Sequence, residues 1–231
     1  MTRVPPAPAP APAIGRVIGL RLRPLLLGAA LPLLSGCAAL TALGDATEPL
    51  DVYEVQAPSD IRPARASLPR DVIVELPTTS GALETDRIMI RPTRLAAAYL
   101  PEARWGEAAP VMVQTVLTRT LDATGAFRYV GRRPLGPSGD FAIVTELLAF
   151  EALAPEGSDG ARVEVRMVSR ILREDGVRVL STRSFEASDS AASLEAGEIV
   201  EAFDRATDRV ARDFAEWVLT TLDAPRPASG L

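Results

Sequence analysis

Arg162-Val163-Glu164-Val165-Arg166-Met167-Val168-Ser169-Arg170-Ile171-Leu172-Arg173 leads through Glu174-Asp175-Gly176 into Val177-Arg178-Val179-Leu180-Ser181-Thr182-Arg183-Ser184-Phe185-Glu186-Ala187. In the first run Val163, Val165, Met167 and Ile171 fall on one side, and Glu164, Arg166 and Arg170 on the other. A period of two with one apolar face marks a strand that is wet on its second face. The Asp-Gly pair is a hairpin turn signal, so 177–187 returns antiparallel to 162–173. Just before this hairpin, 141–153 is nearly all apolar, as a central strand would be. Three long antiparallel strands therefore form the centre of the fold.

Outward from this centre the period changes. Ile199, Phe203, Ala206, Val210, Phe214, Trp217 and Val218 recur at steps of three and four, which predicts a helix over about 196–222. Its opposite face holds Glu201, Asp204, Arg205, Asp208, Arg209 and Arg212, with Glu201/Arg205 and Asp208/Arg212 spaced for i,i+4 pairs worth about 0.3 kcal/mol each. A second helix spans about 108–123. Pro110 suits its first turn, Val113, Val116, Leu117, Thr120 and Leu121 form its stripe, and Gly125 stands where a left-handed cap belongs. Shorter strands are predicted at 51–55, 71–76, 86–91 and 127–130, each bounded by proline or glycine. The fold class is α+β, a mainly antiparallel sheet with two helices packed on one face.

Composition removes most chemistry. The chain has no His, no Lys and no Asn, and Cys37 is its one cysteine. A Ser-His-Asp triad, a Walker A lysine, a Schiff base and an internal disulfide are therefore excluded. A zinc site would need carboxylates alone, and no metal or cofactor site is assigned. Residues 1–36 hold four arginines and no acid, so the charge from Cys37 onward is about −9, against −5 for the whole chain. That argues against nucleic acid as a partner and against a polybasic grip on anionic lipid. A two-carboxylate glycosidase reaction remains conceivable, but no carboxylate pair stands out, and no catalytic residue is assigned.

The start of the chain carries a different signal. Arg16, Arg21 and Arg23 precede an apolar run from Pro24 that closes on Leu34-Ser35-Gly36-Cys37. A basic patch, an apolar segment and small residues follow the order of a secretory signal. Leu34-Ser35-Gly36-Cys37 resembles the lipobox of bacterial lipoproteins. That resemblance makes Cys37 the thiol that receives a diacylglycerol and, after cleavage, the new acylated amino terminus. Other readings of Cys37 are a small core residue, a plain cleaved signal, or part of an uncleaved membrane helix, since 24–43 carries no charge over about 20 residues. Pro24 and Pro32 disfavour that helix. The proline-alanine alternation over 5–13 is an unusual signal start, and a start near Val17 would give a conventional one. The organisation is then a signal peptide over 1–36, a lipidated tether over 37–50, one domain over 51–222 and a tail over 223–231.

Several features beyond the signal resemble the ABC-type transport auxiliary lipoprotein family, whose members accompany MCE-type intermembrane lipid transport systems. They are a tyrosine (Tyr53) in the first strand, Asp86-Arg87-Ile88-Met89-Ile90-Arg91-Pro92 leading to Tyr99-Leu100, Trp105 ahead of the first helix, the Gly125–Phe127 junction, and the long hairpin with its closing helix. The chain departs from the family pattern at Gly106-Glu107 and in its loose Tyr-x-Val after the tether. The resemblance implies a non-catalytic, lipid-anchored envelope lipoprotein facing the periplasm. Its partners would be the membrane, through the anchor, and an MCE-domain protein with its permease and ATPase. A homo-oligomer is compatible with it. Ala38, which is not Asp, favours the outer membrane by analogy with enterobacterial sorting. Tyr53, Tyr99, Trp105 and the Arg-rich strand faces are the candidate contact surfaces, with core packing the commoner role of an aromatic in such apolar context. Direct lipid binding would need an apolar cavity. The alternative is an envelope assembly or secretion lipoprotein that chaperones an outer-membrane protein, and the partner distinguishes the two.

If Cys37 is the acylated residue, Cys37→Ala leaves an unprocessed precursor that takes up no labelled fatty acid. Continued incorporation of labelled palmitate in that variant contradicts the assignment.

Overall fold

In the computed structural model, residues 49–136 and 138–225 are described. The signal segment, the Leu34-Ser35-Gly36-Cys37 motif and nearly all of the tether lie outside them, as does most of the 223–231 tail. The described elements run β1 (Asp51–Tyr53), β2 (Leu68–Val74), β3 (Thr78–Thr79), β4 (Arg87–Arg91), β5 (Ala98–Trp105), α1 (Ala109–Ala123), β6 (Phe127–Gly131), β7 (Phe141–Leu153), β8 (Ala161–Arg173), β9 (Arg178–Ala191) and α2 (Ala196–Thr221).

β7 is the axis of the sheet. One edge pairs antiparallel with β8 along its whole length, from Phe141↔Arg173 to Leu153↔Arg162. The other edge is taken in parallel by three short pieces in succession: β2 beside residues 141–143, β3 beside 146–147 and β4 beside 152–153. Pro77, which cannot donate to a ladder, falls between the first two pieces and explains the break. β6 then extends β2 in parallel, while β5 extends β4 antiparallel and β1 extends β5 in parallel. β9 pairs with β8 alone. The sheet is thus mixed, with its long ladders antiparallel, and the α+β reading holds.

The alternation read from 162–173 is the one observed. Val163, Val165, Met167 and Ile171 are buried, while Arg162 and Arg166 are exposed. Both helices cover the buried face and touch each other. Every residue of the α2 stripe named above is buried. Trp105, Phe150 and Phe203 meet in the core, with ring centroids 5.5, 5.2 and 4.7 Å apart. This trio joins β5, β7 and α2, and edge-to-face or tilted packing adds about 0.5–1.5 kcal/mol per pair beyond burial. Phe185, Phe214 and Trp217 form a second group, and Trp217 Nε1 donates to Ser181 Oγ at 3.1 Å. Inside the sheet, the hydroxyls of Thr145 and Ser169 satisfy each other at 2.8 Å.

The helix ends are built as expected. Pro110 occupies the first turn of α1, and Gly125 has φ +58 after it, with its N–H donating to Asp122 O at 2.9 Å. At the end of α2, Ala224 N–H returns to Leu219 O at 2.9 Å, so 223–224 closes the helix.

Several stretches differ from the sequence reading: β3 had no predicted counterpart, β1 is shorter than 51–55, and β9 runs on to Ala191. Residues 98–105 form a strand, where only a short apolar step was legible, because Pro101 and Glu102 interrupt the alternation. β2 starts at Leu68 and not at Asp71. It accommodates Pro69 because its register against β6 shifts between Leu68 and Asp71. The charged face of α2 is also more than a wet surface. Arg209 and Arg205 hold Asp189 of β9 at 2.7 and 3.2 Å. Burial pushes the Asp189 carboxyl up, but these hydrogen bonds outweigh it and leave it below the usual carboxylate range. Asp204 accepts Gln56 N–H at 2.8 Å, and Arg212 pairs with both Asp208 and Asp60. The segment after β1 is thereby strapped across α2.

Phe203→Ala empties the centre of the aromatic trio and is expected to cost about 3–5 kcal/mol. Chemical denaturation reads this as a lowered midpoint, and an unchanged midpoint would place Phe203 outside the core.

Candidate functional site

The two ends of the sheet differ in chemistry. At the end holding the β8–β9 turn, Arg70, Asp71, Arg128, Asp140, Arg173 and Glu174 line a cleft of about 470 Å³. Its charges are largely satisfied from within. Arg128 meets Asp71 at 2.7 Å, Arg70 meets Asp140 at 3.2 Å, and Asp140 accepts Asp71 N–H at 2.8 Å. The Arg128 hydrogen bond holds the Asp71 carboxyl below its ordinary range. The Arg173 guanidinium lies 5.7 Å from the centre of the Phe141 ring. This arrangement is a clamp that ties β2, β6 and the loop before β7 together.

The opposite end is open and apolar. Ile90, Pro92, Leu100, Pro101, Ala154, Pro155, Leu194 and Ile199 line a groove of about 540 Å³, with Glu156 among them. It lies between the ends of β4 and β7, the middle of β5 and the start of α2. Its volume falls within the range of small-molecule sites. A second cleft of about 330 Å³ shares Leu100, Pro101 and Leu194 as a common wall, and its other lining includes Asp51, Tyr53, Glu102 and Glu195. Among the described residues no arginine lines either cleft. Leu194 is 45% exposed, an apolar side chain presented to water beside the groove.

The wall common to both clefts is a bulge. Arg87 pairs with Arg104 and Met89 with Tyr99, so two steps along β4 match five along β5, and residues 100–103 leave the ladder. Within this bulge Glu102 has φ +59. A left-handed conformation costs a residue bearing a Cβ about 1–2 kcal/mol. Such strain concentrates where a fold aims a particular side chain. Here it places the Leu100 side chain inward, 6% exposed, and leaves Glu102 at the surface.

The residues singled out from sequence fall as follows. Leu34, Ser35, Gly36 and Cys37 lie outside the described residues. Trp105 is 1% exposed in the core, so it offers no contact surface. Tyr53 is half-buried, packs against the core and lines the smaller cleft. Tyr99 is 39% exposed, its hydroxyl donates to Ala82 O at 3.3 Å, and the Arg87 guanidinium sits 5.8 Å from its ring centre. The Arg-studded strand face holds some of its charge locally, through Arg166–Glu164 at 3.5 Å and Arg162 to Ser188 Oγ at 2.7 Å. Sequence reasoning missed the groove. Its lining comes from four separated stretches, and the local sign of it was Pro101-Glu102 inside an otherwise strand-like run.

A family model described as ABC-type transport auxiliary lipoprotein component matches residues 53–215. An uncharacterized protein of Bradyrhizobium diazoefficiens is 25% identical over 191 residues, which cover 81% of this chain and 49% of that protein. The chain thus spans about half the length of the curated relative it matches. The crystal structure of a DUF330-family protein from Xanthomonas campestris has a TM-score of 0.67 at 20% identity, covering 74% of this chain and 96% of that one. A crystal structure of an uncharacterized protein has a TM-score of 0.57 at 14% identity, over 74% and 99% of the two chains. At these identities the two structures speak to the fold alone.

Proposed function

The chain belongs to the ABC-type transport auxiliary lipoprotein component family, and on that premise we propose that it is the lipid-anchored, non-catalytic auxiliary subunit of an MCE-type intermembrane lipid transporter. The family match carries this reading, because it runs from the first strand through most of the closing helix. Two features support it. Leu34-Ser35-Gly36-Cys37 supplies an acylation site at the right place in the chain. The missing histidine and lysine leave acid–base and covalent catalysis without their usual groups.

The anchor would also orient the domain. Asp51 lies fourteen residues beyond Cys37, a span of at most about 48 Å when fully extended. Asp51 lines the smaller cleft at the groove end. A membrane holding acylated Cys37, by the reading above the outer membrane seen from the periplasm, therefore lies within reach of the groove.

Affinity purification of the tagged full-length lipoprotein from detergent-solubilised envelopes, followed by mass spectrometry, tests this. Recovery of an MCE-domain protein, a permease and an ATPase is the expected result. Recovery of an outer-membrane barrel or secretion component without any transporter subunit would overturn it in favour of an assembly role.

A further inference from the structure

We propose that the groove at the β5 bulge holds an acyl chain of a membrane lipid, and that the carboxylates beside it select a lipid whose headgroup carries an ammonium, such as phosphatidylethanolamine. The inference rests on the reading of the chain as a lipid-transport auxiliary and names what this subunit itself would hold.

Three observations carry it. The first is the lining. Ile90, Leu100, Pro101, Pro155, Leu194 and Ile199 make an apolar trough that offers an alkyl chain burial and no hydrogen-bonding competition. The second is charge complementarity. Asp51, Glu102 and Glu195 line the adjoining cleft, Glu156 lines the trough, and all four are exposed. Among the described residues neither cleft has an arginine in its lining to neutralise them. An apolar slot beside a cluster of unneutralised carboxylates is complementary to an amphiphile with a cationic group on its head. It repels one whose head is only anionic. The third is access. Asp51, the first residue of β1, lines the cleft that adjoins the groove, and Cys37 lies fourteen residues before it in the sequence. Acylated Cys37 would keep a membrane within the tether's reach of this end.

The strained bulge fits this use. The register jump at 100–103 turns Leu100 and Pro101 into the shared wall, and Glu102, in its left-handed backbone, lines the acidic cleft. A regular strand through these residues would alternate them across the sheet and dissolve the wall.

The test uses full-length acylated protein reconstituted in phosphatidylcholine vesicles. Each vesicle batch carries a trace of photoreactive-acyl lipid, with either a phosphatidylethanolamine or a phosphatidylglycerol head. After irradiation, mass spectrometry maps the labelled residues. The expected result is label concentrated on Leu100–Pro101, Ala154–Gly157 and Leu194–Ile199, several-fold higher for the ethanolamine probe. Leu194→Gln, a change at an exposed position, should cut groove labelling several-fold while the fold stays intact by circular dichroism. The pair Glu102→Gln and Glu195→Gln should erase the headgroup preference and keep the acyl label. Equal labelling by both probes overturns the selectivity. Label spread over the outer sheet face, or a photoreactive residue at 194 that captures protein and no lipid, overturns the site itself. Transporter subunits are absent from this reconstitution, so its outcome is independent of the co-purification that tests the auxiliary role.

Discussion

Every layer of this fold depends on β7 having both of its edges occupied. Its inner face is buried in the core, and both rows of its backbone groups need partners, so it is stable only as an interior strand. β8 satisfies one edge from end to end, with one register shift between Leu147 and Ala149. The other edge is completed by β2, β3 and β4, which lie end to end along it. Because three pieces do the work of one strand, the sheet fans out differently at its two ends, toward β6 at one and toward β5 and β1 at the other. Phe150 of β7 is the point where this sheet meets both Trp105 and Phe203. Gln114 of α1 then bridges to β2, its Nε2 donating to Val74 O at 2.9 Å, next to the break at Pro77.

That divergence creates the functional asymmetry. At the β6 end the arginines and aspartates are matched to one another, and their role is cohesion. At the β5 end the bulge opens an apolar trough with carboxylates around it and no matching cations in its lining. Exposed ion pairs contribute little to stability, about 0–1 kcal/mol each. The contrast between the two ends is therefore one of surface chemistry more than of stability. The α2 arginines illustrate a third use of charge. Arg205 and Arg209 donate to the carbonyls of Ser190 and Ser188 at 3.3 and 2.9 Å. They cap part of the free edge of β9, which would otherwise be a template for strand addition.

Much of this was legible in the sequence because it is periodic. The 141–187 run and the 196–222 stripe announce strand and helix through spacing alone, and Asp-Gly and Gly125 mark their turns. Trp105, read from the sequence as either packing or contact, is core. The polar face of α2 read as a charged surface, and its partners Asp60, Asp189 and Gln56 were hidden because they are remote in the chain. The strand at 98–105 was obscured by Pro101 and Glu102, which break alternation for the same reason that they build the groove wall. The groove could not be read at all, since Ile90, Leu100, Pro155 and Leu194 come together only when the sheet, the β7–β8 turn and the start of α2 are assembled. The family resemblance from Tyr53 onward agrees with the match over 53–215.

The central claim is that the bulge end of the sheet is the membrane end. Nitroxide labels at Leu194 and at Val177, the latter 80% exposed at the opposite tip, would be compared on the full-length acylated protein bound to vesicles. Oxygen, which concentrates in lipid, and a water-soluble nickel complex serve as the two relaxation agents. The account predicts that Leu194 relaxes preferentially with oxygen and Val177 with nickel. The reverse pattern, or equal nickel access at both positions, would contradict it.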